Sequence, residues 1–459
     1  MIGDNVSSND SGVKSILGDP RNALIRMSIP LIVSLFFTSI YNVVDAMWVA
    51  GIGVNALAGV GFVTPIFTAI MGIGNGLGAG SASSLSKYIG EDNKSKADNG
   101  SIHTMFITLF FSLVTTLVLW VFLRPILVYM GAGSTIGYAL EYGNIIVLGS
   151  VFVILSNAIY GILRGEGDAK RTMYAMIATS ILNMVLDPLF IYVFGMGVAG
   201  AAYATIISLA FVNIVLLYWF YVGRSTYLKP FIGNFKFSRG ITFDILKVGL
   251  PASLELINNA VFAALFSLLL TIVSGTDAVA VYSSGWRIVT IGTMPMLAVG
   301  TALISVVGAN YGAHNFENIR IVHRYSMKIS IILGVVCAIV TYMFAPWIVM
   351  LFSYADSSVS LSDSLIDFLH CIVFFYPTMA VGVNSTYVFQ GVGKGVTAMF
   401  QTIFRESGFT LFFAVLFSMI LGWGEFGAWL GIVIGELVAN NITMEWANLY
   451  IKSLIRSKE

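Results

Sequence analysis

Two carboxylates interrupt stretches that are otherwise apolar: Asp45 in SIYNVVDAMWVAG and Asp187 in ILNMVLDPLFIY. A charge near the middle of a membrane-spanning helix costs about 2.5 to 3.5 kcal/mol, so each such group needs a partner, a proton or a water-filled cavity. Asn183 stands four residues before Asp187 and so projects from the same helix face. At about 1.5 Å of rise per residue, Asp45 and Asp187 lie roughly 8 and 12 Å in from the same end of their helices. Thr205 reaches a similar level. Two carboxylates, an amide and a hydroxyl at matched depth describe a polar pocket able to hold a proton, because desolvation and like charge oppose ionising both acids. Ionised, the same oxygens suit a hard cation such as Na⁺. Asn157 joins them only if its helix bends. Pro188 removes a backbone bond to Met184 and Pro30 one to Arg26, which gives both helices a built-in bending point.

Other charges lie in or near later apolar runs: Glu255, Arg287, Arg405, Glu406 and Glu436, with a net charge close to zero. Glu255 and Arg405 are close enough in depth to pair if their helices adjoin, and a structural ion pair is the expectation for them.

The surroundings that must position these residues are helical and lipid-embedded. Of 459 residues, 57% are hydrophobic and 10% charged, and the mean hydropathy is +0.87. At about 20 residues per span this allows on the order of a dozen crossings and little else. A formal charge of +1 excludes a basic nucleic-acid binder and an acidic tail. Cys337 and Cys371 lie in apolar runs and the four histidines are scattered, so neither a disulfide framework nor a structural metal is expected.

Apolar runs predict twelve helices, near 23–50, 56–82, 101–123, 138–160, 172–195, 198–222, 243–273, 278–306, 325–352, 364–388, 396–421 and 425–450. Sorting the connections by side places 21 Lys and Arg on one side and only Arg124 on the other. One miscounted helix would scramble that alternation, so the bias supports both the count and cytoplasmic termini.

The halves repeat. Pro30 is answered by Pro251, Gly165 and Gly167 by Gly391 and Gly393, and Gly197, Gly200, Ala201 and Ala204 by Gly424, Gly427, Ala428 and Gly431, at offsets that drift only from 221 to 227. Six helices per unit means both units enter the membrane the same way, as a parallel repeat. The expected organisation is an N-lobe at 1–222, a basic cytoplasmic linker at 223–242 and a C-lobe at 243–459. At these offsets Asp45 maps to Phe266 or Ser267 and Asp187 to Phe413 or Ala414, so the acidic pocket belongs to one lobe. That asymmetry favours an ion or proton site over scaffold.

The run MGIGNGLGAG, with Gly72, Gly74, Gly76, Gly78 and Gly80, follows no strand and reads as close helix packing, not as a phosphate loop. No ATPase motif, nucleophile triad or metal-hydrolase motif stands out, so an enzyme is not expected.

The segments SIPLIVSLFFTSIYNVVDAMWVAG, GILRGEGDAKRTM, NMVLDPLFIYVFGMGVAGAAYATIIS and KYIGEDNKSKAD resemble the multidrug and toxic compound extrusion (MATE) family, particularly its archaeal and bacterial DinF-type branch, along essentially the whole chain. The resemblance implies an all-α membrane protein of twelve helices in two six-helix bundles around a V-shaped cleft. It also implies export of amphipathic, often cationic compounds in exchange for H⁺ or Na⁺, with no cofactor and no nucleic-acid partner. Carried over by motif, Asp45, Asn183, Asp187 and Thr205 would form the cation or proton site, with Asn157 a weaker member and Pro30 the place where the first helix bends. The NorM-type branch uses an acidic residue of helix 7; Glu255 lies in that helix here in surroundings that do not align, and stays outside the expected coupling site. The expected setting is a plasma-membrane monomer among lipids. The competing reading is a flippase for a lipid or lipid-linked substrate.

Overall fold

The computed structural model describes residues 11–352 and 361–458. Among them, ten helices are long and apolar enough to cross a membrane, and two pairs bent at a short break bring the number to twelve. The N-half comprises the short α1 (Ser11–Leu17), α2 (Pro20–Ala50), α3 (Val54–Gly90), α4 (Lys94–Tyr129), α5 (Ile136–Leu148), α6 (Ser150–Gly165), α7 (Ala169–Pro188) and α8 (Gly197–Tyr221). The C-half comprises α9 (Arg239–Ser274), α10 (Thr276–Gly312), α11 (Phe316–Phe352), α12 (Ser362–Ile372), α13 (Phe375–Gly391), α14 (Gly395–Ile403), α15 (Leu411–Val415) and α16 (Gly424–Arg456).

Hydropathy sees length, not breaks, and the differences from expectation lie at breaks. The helix expected at 138–160 is the α5 and α6 pair, bent by 48°. It turns at Gly149, where a Cβ would run into Ile206 of α8. The helix expected at 364–388 is the α12 and α13 pair, bent by 49°. Here Pro377, in the first turn of α13, has no N–H to offer Val373, so the α-helical ladder cannot run through. After Pro188 the chain continues as a π-helical turn, Leu189–Val193. Its C-half counterpart, Leu416–Ile420, is also π-helical.

The correspondence continues past those turns at a constant offset of 227. Gly195 and Gly197 (φ +65° and +56°) are answered by Gly422 and Gly424 (φ +70° and +64°). These left-handed positions, open to glycine without steric cost, fold each following helix straight back. Gly200 then seats against the Phe190 backbone as Gly427 seats against that of Phe417.

The halves meet where α3 packs on α9 and α10, and α2 on α10. The glycine run of α3 makes this contact possible by dividing its faces. Gly72, Gly76 and Gly80, spaced by four, lie against Leu256, Ser253 and Gly249 of α9, while Gly74 and Gly78 lie against Asn157 and Gly161 of α6. Near the basic end the seam is polar: Tyr88 donates to Asp244 Oδ2 at 2.8 Å, Lys87 lies 3.7 Å from the same carboxylate, and Lys247 pairs with it.

The stretch between α8 and α9 ends earlier than residue 242, because Ser238 caps α9. It is fastened to the N-half. Leu228 N–H donates to Glu166 Oε2 and Lys229 N–H to Asp98 Oδ1, both at 2.8 Å. Asn99 bonds both backbone groups of Lys236. His103 accepts from Ser238 N–H at 3.0 Å through Nε2, which leaves its Nδ1 to donate to Asn99 O at 2.9 Å. Burial pushes the Glu166 carboxyl up to about 8, against the opposing pull of the Leu228 hydrogen bond.

Candidate functional site

Asp45 on α2 and Asp187 on α7 lie with their carboxyl groups within hydrogen-bonding reach of each other. The π-turn after Pro188 helps to hold the two helices together: Tyr192, inside it, donates to Trp48 O at 2.6 Å and stacks edge-on against that indole at 5.9 Å. Asp187 is fully buried, Asn183 and Thr205 nearly so, and Asp45 is half-buried.

Asn183 joins the acid pair to α8. With its nitrogen toward Asp187, the amide donates to Oδ2 at 3.0 Å and its oxygen accepts from Thr205 N–H at 3.1 Å, the orientation that satisfies both ends. The Thr205 hydroxyl donates to Ala201 O at 3.1 Å. Asp45 Oδ1 and Asp187 Oδ1 are buried and find no hydrogen-bond partner among the described residues. Leaving a buried polar atom unpaired costs about 1 to 3 kcal/mol, so this is an arrangement that gains by taking up a positive charge.

Two phenols escaped the sequence reading. Tyr41 and Tyr142 stand beside both carboxylates. Tyr41 was legible in principle, because it precedes Asp45 by four residues as Asn183 precedes Asp187. Tyr142 lies on α5, and only tertiary packing brings it there.

Asn157 does not join this group. The α5–α6 bend does occur, but Asn157 sits beyond it, bonds back to Val153 O at 2.8 Å and lines the cavity between the halves. The helix α2 runs unbroken through Pro30, whose carbonyl accepts from Ser34 Oγ at 2.8 Å. In the C-half, the positions equivalent to Asp45 and Asp187 hold the fully buried Phe266 and Ala414.

The expected Glu255–Arg405 pair is corrected by the structure. Arg405 lies 3.0 Å from Glu406 and 3.8 Å from Glu436, while Glu255 accepts from the Gln390 amide at 3.1 and 3.2 Å. The physical reason is reach: Glu406 is adjacent on the same π-helical segment, Phe404–Thr410, and Glu436 faces it from α16. All four charged groups line a central cavity of about 470 Å³ with Arg164, Trp286 and Tyr387. Among the described residues no group of three or more His, Cys, Asp or Glu side chains is arranged to hold a metal ion.

Two segments of the chain, residues 30–189 and 251–423, match the MatE family. The first residues of the two matches are Pro30 and Pro251, the pair that opens the repeat. Over 434 residues the chain is 28% identical to the probable multidrug resistance protein YpnP of Bacillus subtilis, covering 90% of this chain and 92% of that one. Over 416 residues it is 24% identical to the multidrug export protein MepA of Staphylococcus aureus, covering 90% of each. Its fold superimposes with a TM-score of 0.95 on the outward-facing conformation of a multidrug resistance MATE family transporter, at 36% identity over 98% of this chain and all of that one.

Proposed function

Because the chain belongs to the MatE family, whose members are transporters and not enzymes, we propose that it is a secondary multidrug exporter. In this reading it expels amphipathic, largely cationic organic compounds by alternating access, driven by cation entry. The relatives' names support export of drugs. The single observation that carries the coupling mechanism is the buried acid pair, present in one half and replaced by Phe266 and Ala414 in the other.

The proposed coupling ion is H⁺. One proton shared by the two carboxyl groups relieves a buried pair in which Asp45 Oδ1 and Asp187 Oδ1 each lack a partner among the described residues. A hard cation gathers several oxygens, and the Asn183 oxygen is already given to Thr205 N–H. Proton loading removes the charge between α2 and α7 and changes what holds α2 against the N-half. A difference in proton affinity between two arrangements of the halves is all that coupling requires. Residues 1–222 and 243–459 are the proposed moving bodies, with the central cavity as the substrate chamber. In a cell the protein would lie in the plasma membrane as a monomer among lipids, its basic end and both termini cytoplasmic.

The test is efflux from proteoliposomes under either a pH or a Na⁺ gradient, with the membrane potential clamped. A pH gradient alone should drive concentrative transport of a quaternary dye. Transport driven only by Na⁺ would reassign the ion, and transport driven by neither would defeat the exchanger reading.

A further inference from the structure

The basic residues of the connections solvate in most cases or find acids, as Arg171 does with Asp168. Arg164 does neither. It sits in the last turn of α6, is 9% exposed, and its Nε has no hydrogen-bond partner among the described residues. Nor does a carboxylate of those residues lie within 4 Å of it. A cation at the end of a helix suits its dipole, but that requires only proximity to the last carbonyls. Here the side chain lines the central cavity. Room is left for it: a Cβ on Gly78 of α3 would stand 3.2 Å from Nη2 of Arg164.

Elsewhere on the same cavity wall, acidic side chains outnumber basic ones. Glu255, Glu406 and Glu436 share one guanidinium, Arg405. Each acid also accepts from an amide: Gln390 donates to Glu255, Asn258 to Glu406 at 3.0 Å and Asn440 to Glu436 at 2.9 Å. The chamber therefore has a cationic group contributed by the N-half and an acidic wall contributed by the C-half, with Trp286 and Tyr387 among the aromatic surfaces.

We propose that the cavity is a binding site for zwitterionic amphiphiles, in which Arg164 receives the anionic group of the ligand and the Glu255, Glu406 and Glu436 wall its cationic group. A buried guanidinium with an unpaired Nε and no carboxylate beside it is costly, and its planar fork matches a carboxylate or phosphate oxygen pair. This inference deepens the export reading by naming a substrate class; the binding step itself can be measured apart from transport.

A matched pair of dyes tests it. Tetramethylrhodamine carries a cationic ring system and a free carboxylate, and its methyl ester carries the cation alone. The measurement is anisotropy titration of the full chain in nanodiscs of phosphatidylglycerol, with empty nanodiscs subtracted. Wild type should bind the zwitterion about tenfold more tightly than the ester, and Arg164→Gln should abolish most of that tenfold ratio. Arg164→Lys, which keeps the charge and loses the fork, should fall between. Soluble dihexanoyl phosphocholine added as competitor distinguishes the source: displacement of the zwitterion assigns the chemistry to lipid headgroups as well, and no displacement confines it to compounds of the dye's kind. Equal affinity of wild type for the two dyes overturns the proposal without recourse to any variant, as does a ratio that Arg164→Gln leaves within twofold. Failure of wild type to bind either dye also overturns it, while the gradient-driven efflux assay separately decides the exporter reading.

Discussion

Replacing Asp187 by asparagine isolates the coupling step. The new side chain has nearly the volume of the old one, and its carbonyl oxygen can still accept from Asn183, where the present contact is 3.0 Å. Its amide can donate to Asp45, whose Oδ1 now lacks a partner. The substitution thus removes a titrating group without removing a hydrogen bond, and should alter stability by less than about 1 kcal/mol. The consequence for transport is larger. One pH unit is worth about 1.4 kcal/mol per proton moved, which sustains about a tenfold gradient of substrate for each proton exchanged. Proteoliposomes with an interior one pH unit more acidic than the bath should therefore accumulate a permanently charged dye such as ethidium about tenfold with wild type and about onefold with Asp187→Asn. Internal dye is read after potassium and valinomycin clamp the potential. Counterflow of labelled against unlabelled dye should persist in the variant, since exchange without net proton movement does not need the acid. Tenfold accumulation by Asp187→Asn would refute the assignment.

Three further outcomes follow from the packing. Gly80→Leu places a side chain against the backbone of Ile245 and Gly249, which cannot give way, whereas nothing lies within 4 Å of a Cβ at Gly61. The first should lower stability by about 1 to 3 kcal/mol or more and the second should not, as read by thermal unfolding in detergent. Arg405→Ala strands the buried Glu436 and the half-buried Glu406 and should cost about 3 to 5 kcal/mol, a loss that Arg405→Met combined with Glu436→Gln should reduce. Glu166 releases its proton near 8 in the folded chain against an ordinary 4.5, so between those values the folded state binds more protons than the unfolded one. Linker docking should weaken as pH rises through that window. The hydrogen-exchange protection factor of the Leu228 amide should fall from pH 6 to 8.5 in wild type and stay level in Glu166→Gln; protection that grows with pH would contradict the burial argument.

Much of this was legible in the sequence because lipid imposes simple rules. Span length, charge sidedness and the drifting offset of Pro30 and Pro251 each follow from one dimension of the chain. The acid pair was also accessible, since Asp45, Asp187 and Thr205 share a depth and Asn183 shares a face with Asp187. What stayed hidden depends on how helices turn and lean. Asn157 could not be placed until the direction of its bent helix was known. The Arg405 partners required the π-helical rotation of Phe404–Thr410. Arg164 counted as one more cytoplasmic cation, and nothing in its neighbours along the chain reveals that α3 glycines open a recess for it.

The fastening of residues 228–238 to Asp98, Asn99, His103 and Glu166 makes that strip a passenger of the first six spans, though it reads along the chain as a flexible tether. Whatever rotation separates the two bundles has to be absorbed in the few bonds around Ser238, at the root of α9. A spin label or fluorophore carried on Ile232 would accordingly keep a fixed distance to the front bundle throughout a turnover and report the swing of the rear one.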